Sequence, residues 1–145
     1  MHSVHMRPAN QNDLLWIKSF LEANGLTTVG VDEWYANFML ALNEKGLPVG
    51  IAGFELYNHA ALLRSVAVDK NRRNVGCARA LVDAVLKTAK QRGVNTVYLF
   101  TENAEGYFKR LGFDVVERTE VDEAVKGSPE LAECCERATA MRKAV

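Results

Sequence analysis

One short stretch holds the densest chemistry in the chain: Arg72-Arg73-Asn74-Val75-Gly76-Cys77-Ala78-Arg79. With Lys70 it places four cations and no acid in ten positions, around one glycine. Ahead of a helix, such a loop is an anion site in outline. The first amide hydrogens of a helix have no intrahelical acceptor and carry about half a positive charge. Gly76 and Ala78 keep bulk away from where phosphate oxygens would lie. The competing reading is a solvated basic turn before an ordinary helix. A Walker loop is excluded, because the second glycine and the lysine of G-x-x-x-x-G-K-[ST] are missing. A dinucleotide loop is excluded too, because G-x-G-x-x-G is absent. A third pattern, [Q/R]-x-x-G-x-[G/A], is met by Arg73, Gly76 and Ala78.

Glu55 and Arg64 are charged groups inside apolar runs, 47–57 and 61–68. If Asn58-His59 is a tight turn, residue 53 faces 64 and 55 faces 62. The two side chains then share one sheet face as diagonal neighbours. They make either a structural ion pair or a working pair in which the planar guanidinium clamps a substrate carboxylate. Cys77 stands where a helix N-terminus can lower a thiol pKa, which makes a nucleophile conceivable, but it is read as a residue of the loop. Cys134 and Cys135 point about 100° apart on a helix, which favours packing over soft-metal or arsenic binding. His2, His5 and His59 have no ligand spacing, so no metal site is expected. Trp16, Trp34, Tyr35 and Phe38 read as core or as the wall of a substrate site.

A mixed sheet must position these groups. Strands are expected at 4–7, 38–44, 47–57, 61–68, 95–101, 113–118 and 138–145. Helices are expected at 11–24, 78–92, 102–112 and 129–136, with one helical turn at 32–37. Asn10 caps the first helix, with Asp13 in its first turn, and Gly25 stops it. Leu14, Ile17 and Leu21 share its apolar face. The helix at 78–92 has the clearest period, through Ala78, Leu81, Val82, Val85, Leu86 and Ala89. Ser128-Pro129 supplies N-cap and N1 chemistry for the last helix. Strands and helices in this alternation give an α/β fold.

The chain has 145 residues, 48% of them hydrophobic and 25% charged, which fits one globular domain. Eighteen basic and 18 acidic side chains cancel, which disfavours nucleic acid as a partner. No apolar run approaches the ~20 residues needed to cross a bilayer, so no membrane partner is expected. The opening MHSVHMRPAN has no apolar signal region. Three cysteines without framework spacing read as reduced thiols in a cytoplasmic protein.

The pieces LLRSVAVDKNRRNVGCARALVDAVL and YFKRLGF, at this spacing, resemble the core of the GNAT superfamily of acetyl-CoA-dependent N-acetyltransferases. The resemblance covers 61–113, and the element order fits the fold across the chain. It implies a single domain over 1–145. Its central sheet is mostly antiparallel, its fourth and fifth strands splay, and helices lie on both faces. It implies acetyl-CoA as cofactor, with pyrophosphate on Arg73, Asn74, Val75, Gly76, Cys77, Ala78 and Arg79. Pantetheine is then expected on the backbone of Val66, Ala67 and Val68, with further contacts at Asn103 and Phe108. Asn74 stands where the family often has glycine, and asparagine enters the left-handed region more readily than most residues.

The family reaction is direct attack of an amine on the acetyl thioester. An amine of pKa ~10.4 is only about one part in 10³ neutral at pH 7, so a base matters. Glu55 is the candidate base, acting through water, and with Arg64 it is placed at the acceptor. Four residues before Gly112 the family often has a tyrosine that protonates the leaving sulfur; this chain has Phe108. Tyr107 is the alternative acid, although one step turns about 100° around a helix. The expected acceptor is a small, amino-acid-like amine. Competing readings are a protein or peptide N-acetyltransferase and a non-catalytic acetyl-CoA-binding regulator, the latter favoured by Phe108. GFELY, ALLRSVAV, YFKRLGF and SPEL also resemble a branch called arsenic-resistance N-acetyltransferases, and LRSVAV is similar to short glutamate-type amino-acid N-acetyltransferases. The segment 119–136, longer than the usual connection, is expected to cover the acceptor site. A homodimer stays open.

Overall fold

The computed structural model describes residues 5–72, 76–134 and 137–145. β1 (His5–Pro8) lies at one edge and pairs antiparallel with β2 (Phe38–Leu42). Pro8, expected to stop the strand, lies inside it; an edge strand tolerates the missing donor. Asn10 closes a capping box. Its side chain accepts from Asn12 N, and the Asp13 carboxylate accepts from Asn10 N, each at 2.8 Å. α1 (Leu14–Ala23) follows, burying Ile17 and Leu21, and α2 (Val31–Trp34) is the expected helical turn.

β3 (Pro48–Tyr57) and β4 (Ala60–Val68) form a hairpin over Asn58-His59, with Asn58 at φ 60°. Gly53 faces Arg64 and Glu55 faces Leu62, the register that the turn predicted. Further along, Ile51 faces Ala67, so β4 holds one extra residue against β3. This bulge centres on Ser65, at φ 61°.

The chain continues through α3 (Cys77–Gln91), β5 (Thr96–Thr101), α4 (Glu105–Arg110), β6 (Asp114–Val115), α5 (Glu123–Lys126), α6 (Pro129–Cys134) and β7 (Thr139–Ala144). The seven strands run in the order β1-β2-β3-β4-β5-β7-β6. Only β4 and β5 are parallel among the described pairs, and they pair only from Ala60–Thr96 to Leu62–Tyr98. Beyond that point β4 continues to Val68 and β5 to Thr101 without pairing to each other. This is the expected splay.

Each sheet face has its own helices. Leu81, Val82, Val85, Leu86 and Ala89 of α3 pack with Phe108 of α4 on Ala52, Phe54, Ala61 and Leu63. On the other face, Ile17, Leu21 and Val31 pack on Phe38, Leu40 and Ile51. Beside them, Val121 and Val125 cover Leu62 and Tyr98.

Three elements are shorter than expected, for local reasons. β2 ends at Leu42 because the Asn43 side chain accepts from Lys45 N and Leu47 N, at 2.9 and 3.0 Å. α4 starts at Glu105 because Thr101 Oγ1 holds Ala104 N in a turn at 3.0 Å. The strand expected over 113–118 shrinks to β6, and a helical turn over Arg118–Glu120 takes its end.

Candidate active site

α3 begins at Gly76, whose φ of 77° is a left-handed conformation that glycine adopts without strain. Among the described residues no side chain caps this end, and its first turn holds no acid. Among the same residues, a β-carbon on Gly76 would meet nothing within 4 Å. The first helical bond runs from Ala80 N to Gly76 O, at 3.0 Å. The amides of Cys77, Ala78 and Arg79 therefore have no acceptor within the helix. Arg79 and Lys70 are exposed, while Arg72 reaches Glu44 at 3.5 Å. Arg73, Asn74 and Val75 lie outside the described residues. So do His2 and Cys135, and no cluster of metal-binding side chains exists among the described ones.

Cys77 sits as a packing residue. Its side chain is buried among the α3 core residues, and burial pushes the thiol pKa up, against a smaller pull from Arg72. Its side chain packs and is no activated nucleophile, and only its amide faces the open end of the helix.

A cavity of about 800 Å³ opens where β4 and β5 part. Val66, Asn103 and Phe108 line it on the α3 side, and residues from Glu22 to Val29 line the opposite side. Arg64, Ser65, Glu130 and Ala138 complete the wall. Ala67 and Val68 stand behind it, Ala67 packed with the α1 and α2 cluster and Val68 with α3. Phe108 is buried, edge-on to Phe113 with centroids 6.0 Å apart. Tyr107 does not line the cavity. Its ring lies 5.9 Å from the Arg110 guanidinium, and its hydroxyl pKa is raised by burial, with Arg79 and Asp83 as charged neighbours. The turn around α4 thus separates Tyr107 from Phe108, as helical geometry requires.

Behind the cavity lies a buried polar network. Arg64 Nη1 donates to Glu55 Oε2 at 2.7 Å, and the two side chains are 0% and 1% exposed. Arg64 Nη1 also donates to Val29 O at 2.6 Å, Nη2 to Thr27 O at 3.3 Å and Nε to Ser65 Oγ at 2.9 Å. Phe38 lies 5.7 Å from the guanidinium. Glu55 Oε1 accepts from Tyr57 OH at 2.5 Å and from Ser128 Oγ at 2.6 Å. Burial and the Glu55 carboxylate push the Tyr57 pKa to about 12, so Tyr57 holds its proton. The diagonal pair expected from the hairpin is therefore an ion pair in full. Both members are engaged by the protein, and Glu55 does not line the cavity. In this geometry the Glu55 carboxylate and the Arg64 guanidinium bond to each other and to the surrounding protein.

Sequence reasoning missed Tyr57, Glu130 and the carbonyls of Thr27 and Val29. Ser128 was visible only as a helix cap. It accepts from Glu130 N at 3.2 Å while donating to Glu55. The covering segment is thus fixed to the sheet, and it brings a half-buried carboxylate, Glu130, into the cavity wall.

A splayed parallel pair beside an uncapped helix start, on a mostly antiparallel seven-stranded sheet, defines the class as an acetyltransferase fold. Over residues 11–113 the sequence matches the Acetyltransferase (GNAT) family, and the chain belongs to that family. It is 36% identical over 75 residues to an uncharacterized N-acetyltransferase of Chlorobaculum tepidum, covering 51% of this chain and 48% of that one. It is 34% identical over 94 residues to the peptidyl-lysine N-acetyltransferase YjaB of Escherichia coli, covering 65% and 60%. The matches thus span about half of these relatives' length. The N-acetylglutamate synthase of Neisseria gonorrhoeae, complexed with coenzyme A and N-acetyl-glutamate, shares the fold. Its TM-score is 0.84 at 16% identity, over 99% of this chain and 35% of that one. No described helix is long and apolar enough to cross a membrane.

Proposed function

We propose that this chain transfers the acetyl group of acetyl-CoA to the primary amine of a small, amino-acid-like acceptor. One observation carries the reading. A single cavity joins the gap between β4 and β5 to the loop at 24–29 and to Glu130. The residues present fit the cofactor. The amides of Cys77, Ala78 and Arg79 supply donors for a pyrophosphate, and Gly76 leaves the approach open. Arg73, Asn74 and Val75 complete the loop pattern in sequence. Val66, Ala67 and Val68 offer backbone at the splay, and Asn103 and Phe108 line the cavity on that side.

Acetyl-CoA, when bound, supplies an activated thioester. The chain's own residues bind, orient and keep water out. Phe108 has no proton to give; a thiol titrates near ~8.5, so the departing sulfur needs little help. In this reading Glu55 and Arg64 are positioning residues: they hold the acceptor loop through Val29 and Thr27, and the covering segment through Ser128.

The covering segments on both sides of the cavity support a small acceptor. The synthase of the same fold, complexed with N-acetyl-glutamate, supports an amino-acid-like one. The long contact from Arg64 Nη2 to Thr27 O is where a substrate carboxylate would compete. The arsenic-resistance resemblance adds arsenical and phosphinate amino acids to the candidates, and the unpaired cysteine pattern fits a cytoplasmic setting. A second reading, a lysine side chain of a peptide, is favoured by the relative named for that activity and by Glu22, Glu102 and Glu130 in the cavity wall.

The test is free-thiol release from acetyl-CoA with a panel of amino acids, arsenical and phosphinate analogues, and lysyl and N-terminal peptides. Release with free amino acids and little with peptides is expected. Cofactor binding by calorimetry with no release from any amine would overturn the proposal in favour of a regulator.

A further inference from the structure

We infer that Glu130 is the carboxylate that receives the acceptor's ammonium group and takes its proton. The inference rests on the acetyltransferase reading and names the group within that site which readies the nucleophile. Among the described side chains, the carboxylates lining the cavity are Glu22, Glu102 and Glu130. Glu22 and Glu102 are exposed, and Glu130 is half-buried. Glu55, the other acid nearby, stands outside the wall.

The fold also fixes where Glu130 sits. Ser128 ties the segment to β3 through Glu55 and caps the next amide but one, that of Glu130 itself. The carboxylate is therefore carried on a backbone tied to the sheet through Ser128, in a cavity that the loop at 24–29, Arg64 and Ser65 also line. Burial raises its pKa; Glu55 raises it further, and Arg64 draws it down. A carboxylate whose pKa is raised is a stronger base.

The protons and bonds balance. The ammonium gives one proton to Glu130, leaving a neutral amine and a carboxylic acid. As the nitrogen–carbon bond to the acetyl group forms, the carbon–sulfur bond breaks and its electron pair leaves with sulfur. The second nitrogen proton neutralises that sulfur, and Glu130 returns its proton to solvent. Ammonium and thioester thus become amide, thiol and one proton.

The test has two arms. In kinetics, Glu130→Gln should lower kcat/KM for the amine by ~10²-fold, leave the KM of acetyl-CoA unchanged and remove the acid limb of the pH profile. Glu130→Asp should keep that limb and part of the rate. Arg64, Glu55 and Tyr57 on the sheet and Glu22 and Glu102 at the wall also titrate or carry charge there. The limb must therefore match Glu130 itself. Carbon-13 NMR of glutamate-carboxyl-labelled protein, assigned by the resonance missing from Glu130→Gln, gives that midpoint directly. The second arm needs no turnover. Adding n-propylamine, 1,5-diaminopentane or lysine methyl ester should lower the Glu130 midpoint, as a bound cation must. Turnover of Glu130→Gln within threefold of the parent, or an acid limb that survives, overturns the inference and leaves the acetyltransferase reading standing. A midpoint that none of the three amines moves overturns it even in protein that acetylates nothing.

Discussion

Replacing Arg64 by methionine keeps the length of the side chain and removes its charge. Glu55 Oε2 then loses the partner it has in the structure, while Oε1 keeps Tyr57 and Ser128. Two hydroxyl donors do not neutralise a carboxylate whose side chain is 1% exposed. Breaking a buried pair by removing one member costs ~3–5 kcal/mol. The carbonyls of Val29 and Thr27 also lose donors, but both residues line the cavity, where water replaces part of that loss. For a domain of this size each kcal/mol lowers Tm by ~2–4 °C, so a fall of roughly 6–20 °C is expected. Glu55→Gln in the same background removes the uncompensated charge. The double variant should recover ~2–3 kcal/mol of the loss, measured as coupling in a double-mutant cycle. Urea unfolding at pH 7, followed by the fluorescence of Trp16 and Trp34, gives the four free energies. A loss below about 1 kcal/mol for Arg64→Met, or additive effects of the two substitutions, would refute the view that this pair is a closed buried unit.

Three further outcomes follow from the same geometry. Gly76→Ala puts a β-carbon in open space but at a φ of 77°, so only strain of ~1–2 kcal/mol is added. Coenzyme A affinity by calorimetry should fall roughly tenfold, and unchanged affinity would remove this helix start from cofactor binding. Ser128→Ala removes a hydrogen bond to a charged acceptor, worth ~1.5–3 kcal/mol, and frees the covering segment. Limited proteolysis should cut residues 117–128 faster in the variant, and equal rates would show that the anchor lies elsewhere. The hydrogen bonds from Arg7 hold the Asp13 carboxyl below its ordinary range, with Asn10 N adding to them. Its stabilisation is complete above the ordinary aspartate value of ~3.9 and is lost as pH falls through the lowered folded value. Asp13→Asn should cost ~1 kcal/mol at pH 7 and flatten the acid-unfolding curve; a curve unchanged in slope would count against the assignment.

Much of the fold was legible because its signals are local. The period through Ala78, Leu81, Val82, Val85, Leu86 and Ala89 gave the buried face of α3; five of the six are buried, and Ala78 is partly buried. Asn58-His59 gave the hairpin and, with it, the register that sets Glu55 diagonal to Arg64. The misjudged ends have one cause. Asn43 and Thr101 bond to nearby backbone with their side chains and stop or delay an element that hydrophobic patterning alone would continue. The Cys77 thiol is buried among the α3 core residues, and that burial, which raises its pKa, depends on what packs from elsewhere in the chain.

The site was less legible because a single extra residue changes the parity of β4. Strict alternation puts 62, 64, 66 and 68 on one face and 61, 63, 65 and 67 on the other. The bulge at Ser65 resets this pattern. Leu62 and Arg64 share their face with Ala67, whereas Ala61 and Leu63 share theirs with Val66 and Val68. Before the bulge, Arg64 faces the loop at 24–29 and reaches 35 residues back to Val29. After it, Val66 and Val68 pack toward α3, on the side of the proposed cofactor cradle. Without the bulge, Ala67 would exchange faces with Val66 and Val68, and two valines would crowd the α1 and α2 cluster where one alanine now fits. The one-residue insertion thus lets a single strand serve both halves of the cavity. Nothing in LLRSVAV announces it, because a left-handed serine inside an apolar run has no compositional signal.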